Sequence, residues 1–272
     1  MDAVEHWREM VEAEEAQTNE LRSDDKGDYW QGLSGLFRQD PRRQDDPEVE
    51  ALAALVDADS TVIDVGAGAG RLALPLALRT KRVTAVEPSE AMCSELRDMA
   101  TQENVDLDIV QSTWEKAECE PADLTFAAHV IYTIKDIGSF LRKMTASTRG
   151  TAATITWARA PLYYLSPIWR DVYDIERLNL PALPDLLEVL WEMGHAPQLR
   201  LGPAGHTRGW PDKEAAVQML RHRLFIGESR QDLLERLRES VERQLVETPE
   251  GWMVGYAPMR ASVLVTWPGA AS

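Results

Sequence analysis

Residues 60 to 158 alternate between short apolar runs and longer runs that carry apolar residues at helical spacing. The apolar runs have the length and β-branched content of strands buried on both faces. They are TVIDV (61–65), RVTAVE (82–87), VDLDIVQ (105–111), a run within ADLTFAAHVIY (122–132) and GTAATITWA (150–158). Strands that alternate with helices are joined by right-handed crossovers, which predicts a parallel sheet with helices on both faces. Ligands of such sheets bind beyond the carboxyl ends of the strands.

Further helices and strands are predicted on both sides of this segment. They are a helix over 4–22, a helix over 46–58, a helix ending at Gly194, a strand over 198–202, two amphipathic helices within 203–250 and an apolar strand over 261–267. Asp46 is placed to cap the second of these helices, and Pro47 then occupies its first turn.

The composition restricts the classes of partner. The chain of 272 residues has a formal net charge of -16, which makes nucleic acid a poor partner because its phosphates would be repelled. No apolar run approaches the length of a membrane span, and the acidic start lacks the apolar core of a signal peptide. Cys93 and Cys119 suggest two reduced thiols, and the scattered histidines suggest no metal site. We therefore expect a cytoplasmic protein.

The run VIDVGAGAGR, residues 62–71, places a glycine-rich turn directly after the first predicted strand. A dinucleotide fingerprint needs the spacing G-x-G-x-x-G, and Arg71 stands where its third glycine belongs. A phosphate-binding loop needs a Gly-Lys-Ser/Thr ending, which is also absent. Glu87 ends the second strand about 20 residues later, where a carboxylate can accept hydrogen bonds from a ribose diol.

The spacing D-x-G-x-G-x-G, followed by Glu87, resembles class I S-adenosylmethionine-dependent methyltransferases. The resemblance covers 60–158, and more loosely 184–202 and 260–267. It implies an α/β fold: a doubly wound Rossmann-like sheet that is mostly parallel with an antiparallel last strand, helices on both faces and helical cover inserts. It also implies an enzyme that uses S-adenosyl-L-methionine and transfers its methyl group to a small-molecule acceptor by in-line displacement.

The resemblance assigns the cofactor contacts to positions along the first half of the chain. They are Tyr29, Trp30, Asp64, Gly66, Ala67, Gly68, Gly70, Glu87, Pro88, Ser89, Met92, Ser112, Thr113, Trp114 and His129. Asp64 would meet the methionine amino group, or else cap the following helix. Tyr29 and Trp30 would close over the cofactor, or else pack in the core. Many family members have an acidic residue for adenine where this chain has Ser112 and Thr113.

His129 and Tyr132, in HVIYTI, are the predicted catalytic residues because they would lie at the carboxyl end of the fourth strand. Histidine titrates near neutrality and can act as a general base, although His129 could instead pack against the cofactor or cap a helix. No N-P-P-Y-like motif is present there, which argues against methylation of adenine or amide nitrogens in macromolecules. Side chains for an acceptor pocket are available after the fifth and sixth strands: Arg159, Tyr163, Tyr164, Trp169, His206, Arg208 and Trp210.

Three regions are expected. Residues 1–59 form a helical segment near the cofactor, 60–202 with 251–267 form the methyltransferase core, and 159–182 with 203–250 form a helical cover. The two predicted cover helices carry apolar stripes that must be buried. The stripes are Ala216, Leu220 and Leu224 on one helix, and Leu233, Leu237 and Val241 on the other. They could pack on each other over the acceptor, or form the interface of a homodimer.

Two other functions stay open at this point. A protein with this fold could bind S-adenosylmethionine as a sensor or scaffold without turnover, and the motif residues do not separate that function from catalysis. An NAD-dependent oxidoreductase is disfavoured by Arg71.

Overall fold

The computed structural model describes five stretches of the chain: residues 2–21, 39–205, 209–227, 229–255 and 260–270. Side chains are described within these stretches except at 203–205 and 260. Among the predicted site residues, Tyr29 and Trp30, and the acceptor candidates His206 and Arg208, lie outside the described residues.

A seven-stranded sheet forms the centre of the protein. Its strands are β1 (Thr61–Val65), β2 (Arg82–Val86), β3 (Asp108–Val110), β4 (Ala122–Ala128), β5 (Thr148–Trp157), β6 (Gln198–Gly205) and β9 (Arg260–Pro268). They lie in the order β3-β2-β1-β4-β5-β9-β6. β1 to β5 pair in parallel, and β9 runs antiparallel to both β5 and β6. The predicted fold class, a mostly parallel sheet with an antiparallel last strand, is confirmed.

Helices cover both faces of this sheet. They are α1 (Ala3–Leu21), α2 (Pro47–Ala53), α3 (Ala73–Ala77), α4 (Glu90–Glu103), α5 (Ile137–Ala146) and α7 (Leu183–Glu192). One apolar core contains buried residues of α1, α5 and α7, and the other contains buried residues of α2, α3 and α4. Alternate residues of β1 enter the two cores, since Ile63 belongs to the first and Val62 to the second.

The N-terminal helices lie on opposite faces of the sheet. α1 packs against α5 and α7, and its fully buried Trp7 donates from Nε1 to the carbonyl of Ile134 at 2.9 Å. α2 packs on the other face, and the Asp46 side chain caps it as predicted by accepting from the N–H groups of Glu48 and Val49. Of the predicted segment 1–59, it is therefore α2 that lies beside the glycine turn and β4.

A third apolar core joins the segment after β5 to the segment after β6. Its helices are α6 (Ser166–Tyr173), α8 (Lys213–Arg223) and α9 (Gln231–Gln244), and its strands are β7 (Leu245–Thr248) and β8 (Gly251–Val254). Both predicted apolar stripes are buried in this core. The stripes therefore need no second subunit to remove them from water.

One expected boundary differs from the structure. Residues 251–254 were assigned to the methyltransferase core, but β8 pairs with β7 in a two-stranded sheet apart from the main one. Val254 packs in the third core with Leu245. The local apolar pattern predicts a strand here but does not identify its partner, which is β7, the strand that precedes it in the chain.

Candidate cofactor and acceptor site

The glycine turn after β1 has the geometry of a cradle. Gly66, Gly68 and Gly70 have φ angles of 75°, 57° and 86°, in the left-handed region that favours glycine. A Cβ added at Gly66 would lie 2.5 Å from Val130 Cγ2, whereas a Cβ at Gly68 would meet nothing within 4 Å. The middle of the turn therefore faces open space that a ligand can enter against bare backbone.

Glu87 faces this cradle from the end of β2, and its side chain is buried. Its Oε2 accepts from the Gly68 N–H at 2.8 Å, and its Oε1 accepts from the Ser89 N–H at 2.9 Å. An ionised carboxylate has about four acceptor positions, so these two bonds leave capacity for the hydroxyls of a ribose. Glu87 thus lies directly beside the glycine turn, while its predicted contact with the ribose stays a prediction.

Asp64 lies fully buried beneath the turn. Burial raises the pKa of its carboxyl from 3.8 to about 8, and the neighbouring charge of Glu87 raises it as well, while Arg71 and the Ala73 N–H lower it. Ala73 begins α3, so the contact with its N–H agrees with the helix-capping alternative. A cationic ligand group beside this carboxyl would favour its ionised form.

His129 occupies a strained position directly after β4. Its φ angle is 59°, a region that non-glycine residues rarely adopt and that occurs often at functional sites. Its N–H donates to the Ile155 carbonyl at 2.8 Å, and its ring stacks on Trp157 with 4.4 Å between centroids. Both contacts hold the imidazole at the carboxyl ends of β4 and β5.

Both ring nitrogens of His129 are hydrogen-bonded. Nε2 lies 3.0 Å from Glu48 Oε1, and Nδ1 lies 3.1 Å from the hydroxyl of Tyr132, which also accepts from the Trp157 N–H at 2.8 Å. A carboxylate can only accept, so Nε2 carries the proton toward Glu48. In the neutral ring Nδ1 is then an acceptor, and Tyr132 donates to it.

Glu48 is a site residue that sequence reasoning missed. It lies in the first turn of α2, 81 residues before His129, and no spacing pattern connects the two. Burial raises the pKa of Glu48, but hydrogen bonds and charges from His129 and Arg71 outweigh it and lower the pKa from 4.5 to about 2. Glu48 is therefore ionised at neutral pH.

Arg71 connects Glu48 to the glycine turn. It forms ion pairs with Glu48 and with Asp46. Arg43 also binds Asp46, and it donates to the carbonyl of Arg71 at 2.7 Å. Arg71, which stands in place of the third glycine of a dinucleotide fingerprint, thus connects the glycine turn to α2, the helix that carries Glu48.

Comparison with known proteins agrees with this geometry. Residues 62–150 match a family model described as a methyltransferase domain. That stretch contains β1 to β4, the glycine turn, Glu87 and His129. The chain carries a class I S-adenosylmethionine-dependent methyltransferase domain.

One curated relative matches a third of the chain. A Pyrobaculum aerophilum protein named "Probable ribosomal RNA small subunit methyltransferase A" is 38% identical over 92 residues, which are 33% of this chain and 38% of that protein. The chain thus spans well under half of this curated relative.

Solved structures of the same fold cover more of the chain. Magnesium protoporphyrin IX methyltransferase from Synechocystis, with bound S-adenosylhomocysteine, has a TM-score of 0.51 and 12% identity, covering 94% of this chain and 93% of that one. The cyclase SpnF has a TM-score of 0.54 and 14% identity, covering 92% and 85%.

The residues at the turn fit the cofactor of this class, S-adenosylmethionine. Gly68 leaves room beside bare backbone, Glu87 offers carboxylate acceptors to a ribose, and Asp64 offers a buried carboxyl. Among the described residues, no cluster of three or more His, Cys, Asp or Glu could hold a metal ion.

The predicted adenine contacts have fewer available side chains than the contacts around the glycine turn. Trp114 is buried with its Nε1 donating to the Phe140 carbonyl at 3.3 Å, and Lys143 lies 4.7 Å above its ring. The indole is thus part of the core, and only the Trp114 backbone remains for the predicted adenine contact. Ser112 is half-buried and Thr113 is exposed, after the end of β3.

The remaining cofactor candidates flank Glu87. Ser89 caps α4 by accepting from the N–H of Met92 at 3.3 Å, Met92 is buried, and Pro88 is exposed. Ala67 is buried within the turn. Of these four residues, Ser89 contacts the Glu87 carboxylate through its N–H, and Pro88 and Ser89 are more exposed than Ala67 and Met92.

The acceptor candidates after β5 divide into two groups. Tyr164 and Trp169 are buried in the third core, where Arg223 donates to the Tyr164 hydroxyl at 3.0 Å. Arg159 is exposed and lies 5.4 Å over the ring of Tyr163. Only the second pair offers surface to a ligand. Trp210, farther along, makes backbone hydrogen bonds to Trp252.

The ionisation of Asp64 predicts a pH-dependent affinity for S-adenosylmethionine. Because its pKa is raised from 3.8 to about 8, the free folded protein retains the proton where the unfolded chain has lost it. Protonated Asp64 therefore contributes to the free energy of unfolding. This contribution is complete below about pH 4 and is lost as the pH rises through 8.

If the cofactor ammonium group meets Asp64, binding at pH 6.5 should release about one proton, and affinity should rise up to roughly tenfold from pH 6 to pH 7. Calorimetric titration in buffers of different ionisation enthalpy counts the protons. Asp64→Asn should abolish the release. Equal proton counts in the two proteins would leave Asp64 as a helix-capping residue only.

Proposed function

We propose that this protein transfers a methyl group from S-adenosylmethionine to a small-molecule acceptor. The observation that carries the proposal is the open cradle at Gly68, bonded to the buried carboxylate of Glu87, within a methyltransferase domain. S-adenosylmethionine supplies a methyl group already activated on a sulfonium. Glu87 binds the ribose, Asp64 meets the amino group, and the glycine turn accommodates the methionine portion.

His129 is proposed as the general base. It lies at the carboxyl end of β4, where ligands of such sheets bind, and its neutral Nδ1 can accept a proton. Because Tyr132 donates to that nitrogen, the acceptor proton would reach it through the Tyr132 hydroxyl. The chain otherwise serves to align the acceptor and to exclude water.

A small acceptor is favoured over RNA by the charge of the chain. The ribosomal RNA methyltransferase relative matches only a third of this chain. The net charge of -16 opposes binding to phosphates, and the segments after β5 and β6 form an apolar core of their own. Among the described residues, no helix has the length and apolarity needed to cross a membrane.

The third core is proposed as the cover of the acceptor cavity. It joins the segment after β5 to α8 and α9, so it begins where the strands end at His129 and Trp157. The buried hydroxyl of Thr156, at the same end of β5, has no hydrogen-bond partner among the residues that the structure describes. Such a group is normally satisfied by water or a ligand.

If this cover binds the acceptor, Arg159→Ala should raise the acceptor KM about tenfold, because one charged contact contributes roughly 1.5–3 kcal/mol. The affinity for S-adenosylmethionine should not change. Arg149, at the opposite end of β5, provides the matched control as Arg149→Ala. An unchanged KM would place the acceptor elsewhere.

A second function is a protein with a methyltransferase fold that binds the cofactor without methyl transfer. The fold is also similar to that of a cyclase over most of both chains. Because this fold alone does not dictate methylation, the similarity favours retaining the non-catalytic function as a second candidate. The predicted cytoplasmic location and a homodimer remain separate predictions, which cell fractionation and sedimentation would test.

The deciding experiment has two parts. Calorimetry should show binding of S-adenosylmethionine, and incubation with panels of phenols, amines, carboxylic acids and RNA should release S-adenosylhomocysteine with one small-molecule class. Binding without release for any panel would support the non-catalytic function. Tight binding of NAD in place of S-adenosylmethionine would refute both.

A further inference from the structure

We infer that Glu48 is a positioning residue that fixes the tautomer of His129 and stabilises its cation, so that the acceptor is one with an acidic hydroxyl. This inference rests on the proposed function. It is carried by the contacts of a single imidazole, whose two nitrogens are bonded to Glu48 and to Tyr132.

The first step concerns the tautomer. Without a partner at Nε2, the proton of a neutral imidazole could reside on either nitrogen. The carboxylate of Glu48, 3.0 Å away, keeps it on Nε2 and leaves Nδ1 able to accept. The strained backbone of His129 and the stack on Trp157 restrict the ring, so the carboxylate and the acceptor nitrogen point in fixed directions.

The second step concerns charge. The groups that face His129 are Glu48 from α2 and Tyr132 from the 3₁₀ turn after β4, and Arg71 and Asp46 lie behind Glu48. The Glu48 side chain is only 14% exposed, so its attraction for an imidazolium is weakly screened. Arg71 offsets part of this negative charge and orients the carboxylate from its other oxygen.

The third step concerns the acceptor. A carboxylate acceptor has no proton to lose and would not need this arrangement. A histidine base is well matched to a hydroxyl with a pKa near 10, such as a phenol or an enol, and poorly matched to an aliphatic alcohol. The acceptor class that fits Glu48, His129 and Tyr132 is therefore a molecule with an acidic hydroxyl.

The proton and electron balance is complete without another reactant. The acceptor oxygen forms its bond to the methyl carbon, and the electron pair of the broken carbon–sulfur bond remains on sulfur. The acceptor proton passes to the Tyr132 oxygen while the Tyr132 proton passes to Nδ1 of His129. The imidazolium, paired with Glu48, then releases one proton to solvent.

The test compares the wild type with Glu48→Gln, using Glu50→Gln as the matched control. Glu50 lies on the same helix but pairs with Arg79 on its exposed side. Nitrogen NMR of the protein without acceptor should show His129 protonated on Nε2 in the wild type and the control. In Glu48→Gln, His129 should become protonated at a pH lower by about one unit, because an opposite charge typically shifts a pKa by 1–3 units.

Turnover provides the second readout. With a phenolic acceptor, kcat of Glu48→Gln should fall about tenfold or more and the low-pH limb of its profile should move by the same pH interval as the NMR titration. The KM for the acceptor should stay within about twofold. A purely structural role would not move the pH profile.

The outcomes separate this inference from the proposed function. An unchanged His129 titration in Glu48→Gln, or a changed titration with unchanged kcat, overturns the inference. Methylation of carboxylates but not of phenols overturns it as well. If the wild type releases no S-adenosylhomocysteine with any acceptor, the proposed function fails, while the NMR titration still decides whether Glu48 stabilises the His129 cation.

Discussion

Replacing His129 with asparagine should lower kcat by about a hundredfold or more, equivalent to about 2.7 kcal/mol of transition-state stabilisation. Asparagine is the informative replacement because it tolerates the left-handed φ of 59° at this position, so the backbone after β4 should be retained. The measurement is single-turnover methyl transfer, together with calorimetry that should find near-normal affinity for S-adenosylmethionine.

The control for this change is His195→Asn. His195 follows α7, where its ring faces Trp267 at 6.2 Å between centroids, on the face of the sheet that carries α1 and α5. Its replacement should leave kcat unchanged. If His129→Asn retains nearly full turnover, the acceptor needs no base from this residue, and alignment alone becomes the better account.

Replacing Glu87 with alanine should weaken binding of S-adenosylmethionine by roughly ten- to a hundredfold. Hydrogen bonds to a charged carboxylate contribute roughly 1.5–3 kcal/mol, and the variant also loses the contact that holds Gly68. Calorimetric titration measures the affinity directly, with no need for an identified acceptor.

Glu87→Gln separates the loss of hydrogen bonds to the ribose from the loss of the contact with Gly68. Its amide oxygen can still accept from the Gly68 N–H, but the charge and part of the acceptor capacity toward the ribose are lost. We expect an affinity between those of the wild type and Glu87→Ala. The control is Glu90→Gln, an exposed change in the first turn of α4. Unchanged affinity in both Glu87 variants would mean that this carboxylate does not meet the ribose.

Most of the fold was predictable because its signals are local. Each central strand is an apolar run, each is followed by a helical run, and crossover handedness restricts how such units assemble. The glycine turn was predictable for the same reason, since the positive φ angles at Gly66, Gly68 and Gly70 favour glycine. The cap of α2 by Asp46 follows from residues within a single turn.

By itself, then, the sequence determined the parallel sheet, the cofactor turn, the position of Glu87 beyond it and the placement of His129 at the end of β4. Only the tertiary structure decided which side chains meet. Glu48 reaches His129 across 81 residues because α2 packs against α3 and β6 on one face of the sheet, and the Trp114 indole turns into the core rather than toward a ligand. The physical reason is that strand and helix formation depend on neighbours along the chain, whereas side-chain contacts depend on how distant elements pack, and no periodicity in the sequence records that packing.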